Sequence, residues 1–275
     1  MKITKIFNNN IVAATTPEKK EAIITGNGVG FGVKIGDVLN ESKISKCYIM
    51  KNVKKDRLYQ VLESTPVLYL EIAEAIVDRA KQTLAKDVND SVLAGLTDHI
   101  NFAIERHKQG NYLPNLIQPE IKLLYPKEFE VGKWAVRYIH AKTGVRLTND
   151  EAGYIAIHIL NATTQVDEDI GHLLTFIKDV TDVVEEVFMI TLNKESFDYY
   201  RISAHLRFFY QRMNQKQQEL QDVEDMYQLL LQKHKKMARF IKTLDEMLWE
   251  DYDYTCNMSE HVYLMMHILR ILQQT

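Results

Sequence analysis

EAGYIAIHIL at residues 151–160 returns as EHVYLMMHIL at residues 260–269, and E-x-x-Y-x-x-x-H-I-L is common to both. In each copy the apolar residues fall three and four apart, the spacing of a helix with one face turned inward. A second pair precedes them: TDHINFAIER (97–106) and SAHLRFFYQR (203–212) share H-φ-x-F-x-x-x-R. His99 stands 59 residues before His158, and His205 stands 62 before His267. One helical domain is therefore present twice, with the division near Val166–His172. Stretches such as YLEIAEAIVDRAKQTLA and VEDMYQLLLQKHKKMARFIKTLDEML carry the same helical spacing. Pro66, Pro114, Pro119 and Pro126 fall at helix starts or in connections.

Upstream the period changes from about 3.6 to 2. KITKIFN, NIVAAT, KEAIIT and KCYIMK are short runs rich in Ile and Val, separated by Asn, Pro and Gly, with NNN at 8–10 as a turn. The expected fold is a small antiparallel β-sheet domain over residues 1–57, followed by two all-α helical bundles over 58–168 and 169–275. So small a sheet buries little by itself, which points to a second copy as the source of its cover.

Charge divides at the same place. Residues 1–55 hold ten lysines, no arginine and four acids, a balance of +6. With a chain total of −3, the remaining 220 residues carry −9. A basic module joined to an acidic body meets a different kind of partner, and nucleic acid is the obvious anion. No apolar run is long enough to span a bilayer, and MKITKIFNNN lacks the apolar core of a signal peptide. Cys47 and Cys256 lie far apart and form no redox motif. These features predict a cytoplasmic protein without membrane insertion.

Between strands three and four lies TGNGVGFG (25–32), with glycine at every second position. The dinucleotide fingerprint and the P-loop both fail, because Phe31 takes the place of a third fingerprint glycine and no Gly-Lys-Ser/Thr follows. A tight turn between strands and a contact loop presenting Phe31 remain. Among the histidines, the repeat separates His99, His158, His205 and His267 from the other five. They fit three roles: core imidazoles with satisfied hydrogen bonds, metal ligands, or acceptors of a phosphoryl group. No H-E-x-x-H or similar close set supports zinc, and no motif asks for a cofactor. A phosphoryl group on such a histidine would add charge at a packed helical interface, repelled by acids and held by arginines.

Taken together, MKITKIFNNNIV and GNGVGFGVKIGD resemble the co-antiterminator RNA-binding module of the BglG/SacY/LicT family of transcriptional antiterminators. LTDHINFAIER, YPKEFEVGKWAVRYI and RLTNDEAGYIAIHILNA resemble that family's first PTS regulation domain; YYRISAHLRFFYQR and EHVYLMMHILRI resemble its second. The resemblance covers essentially the whole chain. It implies a homodimer that binds an RNA hairpin in a nascent leader transcript, blocks an overlapping terminator and is controlled by a sugar. His99, His158, His205 and His267 would be the phosphorylation sites, with HPr and a sugar-specific PTS permease as donors. Lys5, Asn8, Asn10, Gly26, Asn27 and Phe31 would contact RNA. Asn27 and Gly32–Val33 stand where many members carry cationic residues. Asp98 before His99 becomes Ala204 before His205, and Asp150 becomes Ser259. A protein that receives phosphoryl groups in this way is a regulator rather than an enzyme. The alternative, a DNA-binding activator with the same regulatory domains, would need a helix-turn-helix where residues 1–57 read as strands.

Overall fold

The computed structural model describes residues 1–49, 59, 61, 65–89, 92–163, 169–215 and 223–272. They fall into two compact units: Met1–Pro114 with Lys127–Gln165, and Asn115–Pro126 with Val166–Thr275. Residues 57, 58 and 168, at the expected domain divisions, lie outside the described residues.

The first unit opens with four antiparallel strands in the order β1-β2-β3-β4: β1 (Lys2–Asn8), β2 (Ile11–Thr15), β3 (Glu21–Thr25) and β4 (Lys46–Ile49). They coincide with the four alternating runs of the sequence, and Asn9–Asn10 form the first turn. Ala13 faces Ile23 across the β2–β3 pair, and Ile24 faces Cys47 across the next. Because β2 is buried on both sides, the sheet has two apolar layers. Val12, Ala14, Ala22 and Ile24 meet Ile3, and the long β3–β4 loop closes over them with Val29 and Leu39. On the other side Ile11, Ala13 and Ile23 pack against Leu70, Ala94, Phe7 and Tyr59. The cover that the sequence reading assigned to a second copy thus comes, on this face, from helices of the same unit. Burial of Leu70 alone is worth about 1.5–3 kcal/mol.

Ten helices follow among the described residues: α1 (Val67–Leu84), α2 (Val92–Lys108), α3 (Gln118–Leu124), α4 (Pro126–Thr143), α5 (Asp150–Thr163), α6 (Ile170–Phe188), α7 (Phe197–Asn214), α8 (Glu224–Lys233), α9 (Lys235–Tyr252) and α10 (Met258–Leu272). The prolines act as read: Pro66 caps α1, Pro119 lies in the first turn of α3, and Pro126 begins α4. Proline has no N–H to leave unpaired at these positions. In the first unit α1, α2, α4 and α5 enclose Ile72, Ile76, Leu96, Ile100, Ile139 and Ile155.

The second unit is built on α6, which buries eleven side chains. Phe176 of α6 packs its ring on Phe209 and Tyr210 of α7 and on Tyr252 of α9. The short α3 belongs here and packs on α6 and α7. Its Glu120 is fully buried, accepting from the Tyr199 hydroxyl at 2.5 Å and from Lys194 at 3.0 Å. The continuous helical pattern read over residues 223–248 is interrupted at His234, whose extended backbone ends α8 and begins α9. α8 buries only Leu230, whereas α9 buries Met237, Phe240, Ile241, Leu244 and Leu248.

Candidate functional site

The glycine loop is stapled to the β1–β2 turn. Asn8 Oδ1 accepts from Asn10 N at 2.8 Å, and Asn10 Oδ1 accepts from Gly28 N at 2.9 Å. Gly26 N donates to the Asn10 carbonyl at 3.0 Å and Gly30 N to that of Asn9 at 2.9 Å. A Cβ on Gly26 would stand 1.8 Å from the Lys43 carbonyl oxygen, and one on Gly30 2.3 Å from that of Asn8. Gly28 and Gly32 adopt φ of +66° and +72°, where a side chain is strained. All four glycines therefore shape the loop itself, two by allowing close approach of its own backbone and two by left-handed geometry. What the loop turns outward is Asn27 and Phe31, the latter 68% exposed.

Of the six residues expected at the interface, Asn8, Asn10 and Gly26 form this scaffold, and Asn27 and Phe31 are presented by it. Lys5 stands apart: its ammonium lies over the rings of Phe7 and Tyr59, 5.4 and 5.0 Å from their centroids. That is the layer packed against the helices. Near the β1 edge, Ile35 and Val38 form a second exposed apolar patch beside Met1 and Thr4.

His99 and His158 come together, one from α2 and one from α5, with ring centroids 5.1 Å apart. At the start of α5, buried Glu151 accepts from Arg106 Nη2 at 2.6 Å. His99 Nε2 approaches the other carboxylate oxygen to 3.0 Å. Burial raises the Glu151 pKa, but His99 and Arg106 outweigh it and hold the carboxyl below the ordinary range. One turn further on, Tyr154 flanks His99 with centroids 5.8 Å apart. His107 is structural: its Nε2 accepts from Thr148 N at 3.1 Å, which leaves Nδ1 to donate to the Ala103 carbonyl at 2.9 Å.

The second unit repeats the plan on α7 and α10. Arg212 grips buried Glu260 with two bonds, Nε to Oε1 at 2.7 Å and Nη2 to Oε2 at 2.8 Å. With Glu260 so occupied, His205 Nδ1 pairs instead with the Tyr263 hydroxyl at 2.7 Å. The His205 and His267 rings lie 3.7 Å apart between centroids. Burial, then Arg201 and Arg212, push the His205 pKa down. Burial, His205, Arg201 and Arg270 push that of His267 down to about 4. Both imidazoles are held in the neutral, nucleophilic form.

Surroundings separate the two pairs. With His99 matched to His205 and His158 to His267, Arg201 takes the place of Gly95, and Arg270 that of Asn161. A Cβ on Gly95 would lie 3.6 Å from His158 Nδ1, in ordinary contact with that ring; the glycine leaves no side chain there, where the second unit carries Arg201. The acids Asp98 and Asp150 become Ala204 and Ser259. Glu151 and Arg106 stand beside the first pair, whereas Arg201, Arg212 and Arg270 surround the second, with Glu260 taken up by Arg212. Sequence reasoning assigned no role to Glu151 and Glu260. The signal was present, since each opens the repeated E-x-x-Y-x-x-x-H pattern.

Among the described residues no helix is long and apolar enough to cross a membrane. The CAT RNA binding domain family matches residues 1–57, and the PRD domain family matches twice, at 74–162 and 178–271. Transcription antiterminator LicT of Bacillus subtilis (strain 168) is 35% identical to this chain, with 100% of each covered. The beta-glucoside operon antiterminator of Dickeya chrysanthemi is 34% identical over 98% of this chain and 96% of its own. A solved structure of GlcT CAT-PRDI is similar with a TM-score of 0.52 and 30% identity, covering 60% of this chain and 98% of that one.

Proposed function

The chain belongs to the transcription antiterminators that join a CAT RNA-binding domain to PRD domains, and we propose that it binds, as a homodimer, an RNA hairpin in a nascent leader transcript. It is an RNA-binding antiterminator under the control of the sugar phosphotransferase system. In our reading the hairpin prevents formation of an overlapping terminator while the protein holds it. Folded RNA is recognised by shape, by phosphate and 2′-OH contacts, and by stacking on unpaired bases. Phe31 supplies the stacking ring and Asn27 an amide with donors and an acceptor. The exposed patch of Ile35 and Val38 at the β1 edge suits contact with a second copy.

The observation that carries the regulatory reading is the duplicated histidine pair, each beside a buried Arg–Glu clamp, with Arg201 and Arg270 added only at the second. A phosphoryl group on His99 or His158 meets the carboxylate of Glu151, with which it competes for Arg106, and loosens the clamp. On His205 or His267 it meets Arg201 and Arg270, which hold it by charge-assisted hydrogen bonds. Modification by the permease at the first pair would therefore disorder and inhibit, and modification by HPr at the second would order and activate. Such a protein accepts phosphoryl groups and turns nothing over, so we read it as a cytoplasmic regulator and not an enzyme. Gel-shift titration of the full chain, with an RNA hairpin and a DNA duplex of equal length at fixed salt, tests the binding. Preference for the RNA is expected, and preference for the duplex would overturn the proposal in favour of a DNA-binding activator.

A further inference from the structure

The second PRD region carries a side-chain cluster that the antiterminator reading does not use. Asp245 on α9, Cys256 in the α9–α10 connection and His261 on α10 bring one ligand atom each to within 4.8 Å of one another. His261 is 6% exposed, and its Nε2 lies 2.7 Å from Asp245 Oδ1. The Tyr227 ring stacks beside the imidazole with centroids 6.0 Å apart.

The internal repeat shows that this chemistry is an addition to the fold. From the α4–α5 pair to the α9–α10 pair the numbering shifts by 109: Glu151 matches Glu260, Tyr154 matches Tyr263, and the left-handed residue ending the earlier helix is Gly144 in one and Asp253 in the other. On that register Asp245, Cys256 and His261 replace Val136, Leu147 and Ala152. Leu147 and Ala152 are buried, and Val136 packs against the first unit's core. The same architecture thus fills this place with three apolar side chains in one copy and three metal-ligating ones in the other. Burying polar groups is costly unless they are paired or coordinated; buried His261 is paired with Asp245, whose carboxylate is 43% exposed, and the Cys256 thiol joins them as a third donor.

We propose that Asp245, Cys256 and His261 bind a zinc ion, with water in the fourth position. Thiolate, imidazole and carboxylate are the donor set of tetrahedral zinc, with bonds of about 2.0–2.3 Å that space neighbouring ligand atoms roughly 3.3–3.8 Å apart. To reach this spacing the Asp245–His261 contact opens by about 0.6–1.1 Å and any wider pair closes from at most 4.8 Å. Burial, Asp245 and Glu260 push the Cys256 thiol pKa up, and a divalent cation reverses that field, the thiol losing its proton to solvent as the metal–sulfur bond forms. The ion would clamp α9 to the connection that leads into Glu260 and the His205–His267 site. The zinc spacings sought in the sequence missed the cluster because Asp245 and Cys256 are eleven residues apart, on opposite sides of a helix end.

The untagged full-length protein, stripped with a chelator and dialysed, is titrated with Zn²⁺ against a chromophoric competitor, and with Co²⁺ by absorption. One equivalent bound, a thiolate-to-cobalt charge-transfer band and a zinc-dependent rise in melting temperature are expected. Cys256→Leu with His261→Ala, the residues used by the first copy, should abolish all three while circular dichroism stays that of the parent. Cys47→Ser should change none. Absence of the band in the parent, or its survival in the Cys256→Leu/His261→Ala protein, would overturn the proposal. If that double variant does not fold, Cys256→Ser and Asp245→Asn serve instead, each expected to weaken zinc at least tenfold; unaltered affinity in both would equally overturn it.

Discussion

Replacing Arg106 with Met isolates the clamp on which the first histidine site rests. Glu151 is fully buried and accepts from Arg106 at 2.6 Å, with the His99 imidazole its other neighbour at 3.0 Å. Removing one partner of a buried pair costs about 3–5 kcal/mol, because the remaining charge is left desolvated. Arg106 is 26% exposed, so water can replace part of its role and the lower end, about 3 kcal/mol, is expected. At about 2–4 °C per kcal/mol for a unit of this size, melting should fall by roughly 6–12 °C. Arg106→Met with Glu151→Leu removes both charges and should recover most of the loss. The pH dependence gives a second sign. In the parent, Glu151 is held below 4.5, so its contribution is present above that value and disappears as pH falls through the folded-state pKa. In Arg106→Met part of the field that offsets burial is gone, so that pKa should rise relative to the parent and the cost of the substitution should shrink as pH falls into the acid range. Thermal melts of parent, single and double variants across pH provide the assay. A single-variant cost below about 1 kcal/mol, or a double variant no more stable than the single, would refute the reasoning.

Phe31→Ala should weaken hairpin binding by about 1–3 kcal/mol at fixed salt, the worth of one base–aromatic stack, and leave the melting temperature unchanged because the ring is 68% exposed; unchanged binding would make the loop a turn only. Gly26→Ala puts a methyl 1.8 Å from a backbone oxygen and should unfold or displace the loop, whereas Gly32→Ala meets nothing within 4 Å and should cost only the left-handed strain of about 1–2 kcal/mol; comparable melts for the two would contradict the packing. By NMR, His267 should titrate near pH 4, and Arg201→Ala should move it upward. Because the fold favours the neutral ring, the His267 contribution is intact above the unfolded value of 6.5 and is lost as pH falls from there toward about 4; an unshifted His267 titration would contradict this.

Periodicity carried the fold. Alternation at 2–8, 10–15, 20–25 and 46–51 is local, and each run holds a strand, at Lys2–Asn8, Ile11–Thr15, Glu21–Thr25 and Lys46–Ile49, with residues 50 and 51 outside the described residues. The repeat was legible because its shared residues are the clamp and the histidines themselves. What sequence hid lies in contacts between distant positions. Arg106 meets Glu151 across 45 residues and Arg212 meets Glu260 across 48. The carboxylate at the His99 ring is therefore Glu151, where the sequence drew attention to its neighbour Asp98. The close approach of Gly26 to the Lys43 backbone and of Gly30 to that of Asn8 was likewise invisible in the sequence. The direction of Lys5 was equally hidden, since the register of β1 shifts between Ile3 and Lys5. Membership of α3 in the second unit depends on a buried Glu120 whose partners, Tyr199 and Lys194, lie over seventy residues downstream.

The central claim is that imidazoles in a duplicated helical body govern RNA binding by accepting phosphoryl groups. Its most direct test is phosphohistidine mapping by mass spectrometry, after incubation with HPr and with a permease phosphoryl-donor domain, paired with hairpin affinity on the same samples. The account predicts phosphate on His99 or His158 with weakened binding, and on His205 or His267 with strengthened binding. Phosphate at none of the four, or hairpin affinity indifferent to their modification, would contradict it.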